Sequence, residues 1–261
     1  MKLTVLGGCG VWPAAGEACS GYLVEQDGFR LLIDPGYAVL PQLLRSMTAD
    51  DVDAVLVSHG HPDHCADLNP LLRARALRDR EPDEPLTGAL PIHALPGALD
   101  DVLTLDRPGM LDDAFALSEI TPGAPFAIGP FEIATRALPH SRPNVGIRLE
   151  AGGVALVYTG DAGPDPALVE LARHADILLA EATFLDEVPA DSIGTLSSAR
   201  DAGRQAAEAG VGGLLLTHLP PGADRAAAMR SAVATFSGPT RVARLGLTLN
   251  VDQPFPDRDD A

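Results

Sequence analysis

The chain has 261 residues, with 36 Asp and Glu against 19 Lys and Arg, and a formal net charge of −17 at pH 7. An apolar fraction of 46% excludes a disordered chain, and no apolar stretch approaches the ~18 residues of a membrane helix. The acidic balance excludes a holder of tRNA or DNA, which needs a basic stripe; the one basic cluster, Arg73 to Arg80, runs directly into Glu81, Asp83 and Glu84.

A small anionic substrate remains open, because a few positive charges in a pocket outweigh a surface charge beyond the ~8 Å Debye length. Cys9, Cys19 and Cys65 are too few, and odd in number, for a disulfide framework, which predicts a reducing compartment, the cytoplasm. Gly7, Gly8, Gly10 and Glu17 break any signal-peptide pattern at the start. The length predicts one domain over 1–253, with an acidic, frayed tail over 254–261.

In chain order, 2–7 reads as a strand ended by glycines, and 21–25 with 29–34 as a hairpin turned at Asp27-Gly28. A short helix is predicted over 41–47, a buried strand over 53–58 and a helix over 67–80. Residues 81–85 read as an exposed link, 91–95 as a strand and 97–105 as a helix. The second half repeats the style, with strands at 131–138, 145–150 and 155–159, then a helix at 166–175. A strand at 176–180, a helix at 197–210, a strand at 213–217, a helix at 225–236 and a strand at 240–244 complete the series. Strands and helices alternating in both halves predict a mixed sheet doubled into two layers with helices packed outside.

Residues 58–64 read Ser-His-Gly-His-Pro-Asp-His, placing His59, His61, Asp63 and His64 in one loop after a buried strand. Neutral imidazole and carboxylate are ligands for zinc-like divalent ions. A non-helical loop turns the first two toward one ion and the last two toward another, with Gly60 and Pro62 suited to the bend. With these residues in hand, the chain resembles the metallo-β-lactamase superfamily, whose HxHxDH signature matches His59, His61, Asp63 and His64. The later ligand motifs resemble His140 in Leu-Pro-His-Ser, Asp161 in Tyr-Thr-Gly-Asp and His218 in Leu-Thr-His-Leu, while the opening Val5 to Gly10 and Leu32 to Gly36 look similar as well.

The resemblance implies an αββα four-layer sandwich and two zinc ions, with manganese the alternative. His59, His61 and His140 hold one ion, Asp63, His64 and His218 the other, and Asp161 bridges them. Two divalent ions, two aspartates and a bridging hydroxide leave about +1 at the site, which draws a phosphate or carbonyl oxygen. Ions about 3.5–4 Å apart acidify the water between them, so water is the expected nucleophile. Asp34 reads either as an acceptor orienting a ligand imidazole or as a strand end.

Ala180 to Glu187 and the stretch Thr217-His-Leu-Pro-Pro resemble the ribonuclease Z-like branch, and in particular actinobacterial cyclic-nucleotide phosphodiesterases. That branch places an acid histidine after the glutamate. Here Thr195 stands in its place, and a threonine hydroxyl does not act as a general acid near neutral pH. Glu181 is the candidate replacement, or else a strand-end carboxylate bonded to nearby backbone. Arg142 and Asn144, close after His140, are candidate substrate contacts. Trp12 reads as core, with base stacking the alternative, while His93, His174 and Cys65 read as structural or surface positions outside the site.

The expected function is therefore a dinuclear zinc hydrolase acting on a small anionic phosphodiester such as a cyclic nucleotide. The alternatives are a lactone or thioester hydrolase or biosynthetic tailoring enzyme, and a metal-stabilised binding or sensing protein without turnover. The resembling branch implies a homodimer; tRNA, DNA and membranes are not expected partners.

Overall fold

The computed structural model describes residues 1–77 and 88–253. The link predicted over 81–85, the last turn of the 67–80 helix and the 254–261 tail lie outside the described residues. Among the described residues, no helix is long and apolar enough to cross a membrane.

The first half builds β1 (Lys2–Gly7), β2 (Gly21–Gln26), β3 (Phe29–Ile33), β4 (Ala54–Leu56), β5 (Leu90–Ala94) and β6 (Phe115–Glu119). The second builds β7 (Phe126–Ile128), β8 (Phe131–Leu138), β9 (Asn144–Ala151), β10 (Val154–Tyr158), β11 (Ile177–Glu181), β12 (Gly213–Thr217) and β13 (Thr240–Val242). A last strand, β14 (Thr248–Asn250), returns to the first half. Two seven-stranded mixed sheets result, ordered β14-β1-β2-β3-β4-β5-β6 and β13-β12-β11-β10-β9-β8-β7.

Successive side chains of a strand point to opposite faces, and in the central strands, such as β10, β11 and β12, both faces are buried. In β3, Leu31 and Ile33 point into a core shared with Ile147, Leu149 and Leu156 of the second sheet, while Leu32 faces the helices outside. The outer helices on the first sheet are α1 (Val39–Leu43), α3 (Leu68–Leu77) and α4 (Asp100–Leu103), contributing Val39, Leu43, Leu68, Leu71, Leu72 and Val102. On the second sheet, α5 (Pro166–Ala172), α6 (Ala199–Ala209) and α7 (Arg225–Val233) pack on Leu178, Leu214 and Leu216. Three apolar layers between two sheets and two helix layers give the αββα sandwich.

Local chemistry explains the strongest helices. Asp165 caps α5 by accepting from Ala167 N at 2.7 Å, with Pro166 in the first turn. Ser198 and Asp201 form a reciprocal capping box at the start of α6, and Gly210 ends it in the left-handed region at φ 64°.

The short elements differ from expectation. The 41–47 helix is the five-residue α1, and 97–105 contains only the four-residue α4. The loop predicted at 58–64 contains a helical turn, α2 (Pro62–Cys65), in which Pro62 occupies the first turn. Strands β6, β7 and β14 carry no legible alternation: β6 is an edge exposed along most of its length, and the other two have three residues each.

Small residues let α6 and α7 touch. A methyl at Gly203 would stand 2.4 Å from both the Ala232 carbonyl oxygen and Thr235 Oγ1. Gly203→Ala is expected to destabilise the fold by about 1–3 kcal/mol through overpacking, read as a lower urea midpoint at unchanged slope.

Candidate metal centre

Every expected metal ligand leaves a strand on the same side of the sandwich or the turn that follows one. His59 comes after β4, and α2 carries Asp63 and His64. His140 follows β8, Asp161 follows β10 and His218 directly follows β12. The structure brings together two groups that share one carboxylate: His59, His61, His140 and Asp161, and Asp63, His64, Asp161 and His218. Within each group the donor atoms lie within 4.8 Å of one another.

In the first group, His61 Nδ1 is 3.1 Å from His59 Nε2 and 3.0 Å from His140 Nε2. Asp161 Oδ2 lies 3.8 Å from His59 Nε2 and 3.9 Å from His140 Nε2. In the second, Asp63 Oδ2 is 3.2 Å from His218 Nε2 and 3.7 Å from His64 Nε2. Asp161 Oδ1 is 3.2 Å from His64 Nε2, and its Oδ2 is 3.3 Å from His218 Nε2. A tetrahedral ion with bonds of 2.0–2.1 Å needs ligand atoms about 3.3 Å apart, which these spacings bracket.

The protons of the imidazoles are spoken for elsewhere. His64 Nδ1 donates to Asp34 Oδ2 at 2.7 Å, and His59 Nδ1 to Ser58 Oγ at 3.1 Å, whose own hydroxyl donates to Asp34 Oδ2 at 2.6 Å. His140 Nδ1 donates to the Thr195 carbonyl at 2.8 Å, and His218 Nδ1 to Thr183 Oγ1 at 3.0 Å. Each bond fixes the tautomer that leaves Nε2 as a lone pair. His64 Nε2 and Asp161 Oδ1 are buried with no hydrogen-bond partner, so two lone pairs face each other at 3.2 Å. A cation is the group that satisfies both, and the donor set fits one in each cluster.

Electrostatics agree. Burial, then the neighbouring His64, push His59 well below the usual imidazole range, and burial and His140 lower His61, keeping both in the neutral ligating form. Burial opposes ionisation of Asp63 and Asp161, but His218 and His64 hold both carboxyls below their usual range. For His64 and His218 burial disfavours charge, yet the carboxylates around them win and raise both, so without an ion these two rings favour the protonated form, a positive charge that a bound cation would replace.

Asp34 proves to be the acceptor at the base of the site rather than a plain strand end. It also receives Ser58 N at 2.7 Å and the Tyr158 hydroxyl at 2.8 Å. Several site residues occupy the left-handed region that L side chains rarely adopt: Val11 at φ 68°, Asp34 at 50° and His218 at 58°. Val11 uses it to aim its N–H at Asp63 Oδ2, 2.8 Å away.

Other expected site residues stand differently. Glu181 is fully enclosed: Oε1 accepts from Ala162 N and Ser197 N, Oε2 from Thr183 N and Thr183 Oγ1. Burial and Asp161 push it up to about 7, but all four acceptor positions are engaged, so its role is to hold Thr183 and thereby His218, not to face substrate. Asn144 is buried and donates to the Thr159 carbonyl at 3.2 Å; it braces the turn before Asp161 and is not among the residues lining the cleft above the ligands. Arg142 is half exposed, 3.9 Å from Asp101, and also stands outside the cleft lining. Thr195 turns its hydroxyl to the Ser192 carbonyl at 3.0 Å. Trp12, expected in the core, is 54% exposed beside Val11. His93 stacks on Phe126 outside both ligand groups, and Cys65 is a buried thiol donating to the His61 carbonyl.

Sequence reading missed Ser58, Thr183, Tyr158 and the Thr195 carbonyl as partners of the ligands. Of these only Ser58, adjacent to His59 and following a buried strand, carried a positional signal. It also missed Tyr37, which lines the open cleft of ≈ 380 Å³ above the ligands together with Val11, Pro62, Ser141 and Leu196.

Removing the carboxylate that locks two imidazoles is expected to weaken metal binding without unfolding the sandwich. Asp34→Ala should lower zinc affinity about 10–100-fold in a chelator competition.

The chain is similar to known proteins over nearly its whole length. Residues 29–219 match the Beta-lactamase superfamily domain. It is 34% identical over 246 residues to the probable metallo-hydrolase YhfI of Bacillus subtilis, covering 94% of this chain and 98% of that one. The crystal structure of YhfI superposes with a TM-score of 0.85 at 32% identity over 95% of this chain and 99% of that one. The ribonuclease Z of Haloferax volcanii is 29% identical over 315 residues, 99% of this chain and 97% of the other. Human short-form tRNase Z shares the fold, with a TM-score of 0.75 at 20% identity over 97% of this chain and 100% of that one. With this ligand geometry and this coverage, the chain belongs to the metallo-β-lactamase superfamily, in its ribonuclease Z-like branch.

Proposed function

We infer that this metallo-hydrolase cleaves a small phosphodiester such as a cyclic nucleotide, using two zinc ions, with manganese the alternative. The observation that carries the reading is the sharing of Asp161 between two ligand groups, the arrangement of a two-ion site. Two ions held there supply Lewis acidity to phosphoryl oxygens and acidify a water molecule.

The protein's own residues do the rest. Ser58, Asp34, Thr183 and the Thr195 carbonyl hold the imidazoles in their ligating tautomers. Val11, Pro62 and Leu196 wall the cleft with apolar surface, and no Lys or Arg is among its lining residues. A substrate carrying one anionic group between less polar parts matches that lining; a polyanion matches neither the lining nor the net charge of −17. We place the enzyme in the cytoplasm, where its three buried thiols stay reduced, and as a homodimer that takes neither tRNA nor DNA. A lactone or thioester substrate is the second reading, favoured by the turned-away Thr195 hydroxyl, since such leaving groups need less protonation.

Zinc- or manganese-loaded protein is expected to turn over 3′,5′-cyclic AMP and bis(p-nitrophenyl) phosphate faster than it turns over lactone and thioester panels. Turnover of neither diester above the metal-free control removes this substrate class. Asp161→Ala is expected to abolish turnover and lower the bound-metal count by elemental analysis; full activity in that variant contradicts a shared ligand.

A further inference from the structure

We propose that Tyr37 is the proton donor to the leaving oxygen, an assignment that rests on the phosphodiester reading. An alkoxide leaving a phosphodiester at neutral pH needs a proton, and among the residues that line the cleft one side chain is chemically suited to give it.

The lining of the cleft narrows the choice. His61, Asp63, His140, Asp161 and His218 belong to the ligand groups, and the Nδ1 protons of His140 and His218 are committed to Thr195 and Thr183. Glu181 has all its acceptor positions engaged and does not line the cleft. Thr195 has turned its hydroxyl into its own turn. Arg142 stands outside the lining, and a guanidinium keeps its proton in proteins. Of the remaining hydroxyls, Ser141 is an aliphatic alcohol no more acidic than the alkoxide's own parent. Tyr37 carries a phenol, intrinsically a stronger acid than an aliphatic alcohol.

Its placement is fixed by packing rather than by chance exposure. Gly36 lies so close to the metal-ligand turn that a methyl there would stand 1.9 Å from the Asp63 carbonyl oxygen. The Tyr37 carbonyl accepts from Cys19 N at 2.9 Å, Pro35 O accepts from Asp67 N at 2.9 Å, and Asp67 Oδ2 accepts from Leu40 N at 2.8 Å. The backbone on both sides of Tyr37 is therefore tied to α2 and its exit, while the residue is 39% exposed and lines the cleft. Among the described residues its hydroxyl has no hydrogen-bond partner, so it is free for substrate.

The step balances. A water oxygen forms the new bond to phosphorus as the bond from phosphorus to the leaving sugar oxygen breaks. That oxygen takes the electron pair of the broken bond and the phenolic proton. The phenolate regains a proton from solvent, which has received the one lost by the attacking water.

The test is Tyr37→Phe in the metal-loaded protein with two substrates of different leaving-group need. Turnover of 3′,5′-cyclic AMP is expected to fall about 10²–10⁴-fold, the range for loss of a general acid. Turnover of bis(p-nitrophenyl) phosphate, whose phenolate leaves without help, is expected to change by less than about two-fold. Metal content and the calorimetric Kd for inorganic phosphate should match wild type, and Tyr37→His should recover part of the cyclic-nucleotide rate. An equal fall on both esters, an unchanged cyclic-nucleotide rate, or a loss of metal or phosphate binding overturns the proposal alone. A wild-type enzyme that turns over neither ester overturns the phosphodiester reading, and this assignment with it.

Discussion

The site depends on one electrostatic constraint: lone pairs of buried nitrogens and oxygens are aimed at each other, with their protons drawn off to the outside. His64 Nε2 and Asp161 Oδ1 meet at 3.2 Å with no proton assigned between them once His64 Nδ1 has donated to Asp34. His61 Nδ1 sits about equally close to the Nε2 atoms of His59 and His140. Such contacts are repulsive in a dry pocket unless positive charge lies between the atoms. The scaffold thus stores the demand for cations in its hydrogen bonds, because Asp34, Ser58, Thr183 and Thr195 decide which face of each ring is bare.

The fold meets that constraint by facing two sheets. Strands β4, β8, β10 and β12 deliver their ligands from loops at one edge, two sheets supplying opposite walls. The sheets are also tied beneath the site by polar contacts. The Tyr158 hydroxyl of the second sheet donates to Asp34 of the first, and Tyr22 of the first bonds Thr217 of the second at 2.6 Å. The two tyrosine rings pack at 5.0 Å between them. A shift of one sheet against the other therefore breaks the bonds that orient His64 and the β12 end leading to His218. Left-handed backbone at Val11, Asp34 and His218 is strain retained at the places where those bonds are aimed.

Much of this was legible in the residues, and unevenly so. His59, His61, Asp63 and His64 announce themselves because four ligand types fall within six positions after an apolar strand. His140, Asp161 and His218 were reached through resemblance, since nothing local separates them from isolated polar residues at strand ends. The long strands were readable because burial on a sheet face imposes a period of two, whereas β6 is an exposed edge and β14 has three residues. Arg142 and Asn144 were misplaced by treating nearness to His140 in sequence as nearness to the cleft. Asn144 begins β9, and its side chain points into the buried turn under Asp161. Thr183, Tyr158 and Tyr37 act across separations that no periodicity encodes; the bond from Tyr158 to Asp34 spans 124 positions.

At position 195 the backbone rather than the side chain serves the site. The carbonyl of Thr195 orients His140 whatever residue stands there, so the candidate metal centre does not depend on the side chain at 195. A proton source has looser geometric needs than a ligand: it must reach one oxygen of a substrate that itself adjusts. The stretch from Asp34 to Leu40 is already clamped to the ligand turn through Gly36 and Asp67, for reasons of metal binding. A phenol at position 37 thereby inherits rigidity built for another purpose. The acidic exterior would then act as a filter under the proposed function, because a charge of −17 repels extended polyanions while cations held by the two ligand groups would attract one small anion at short range.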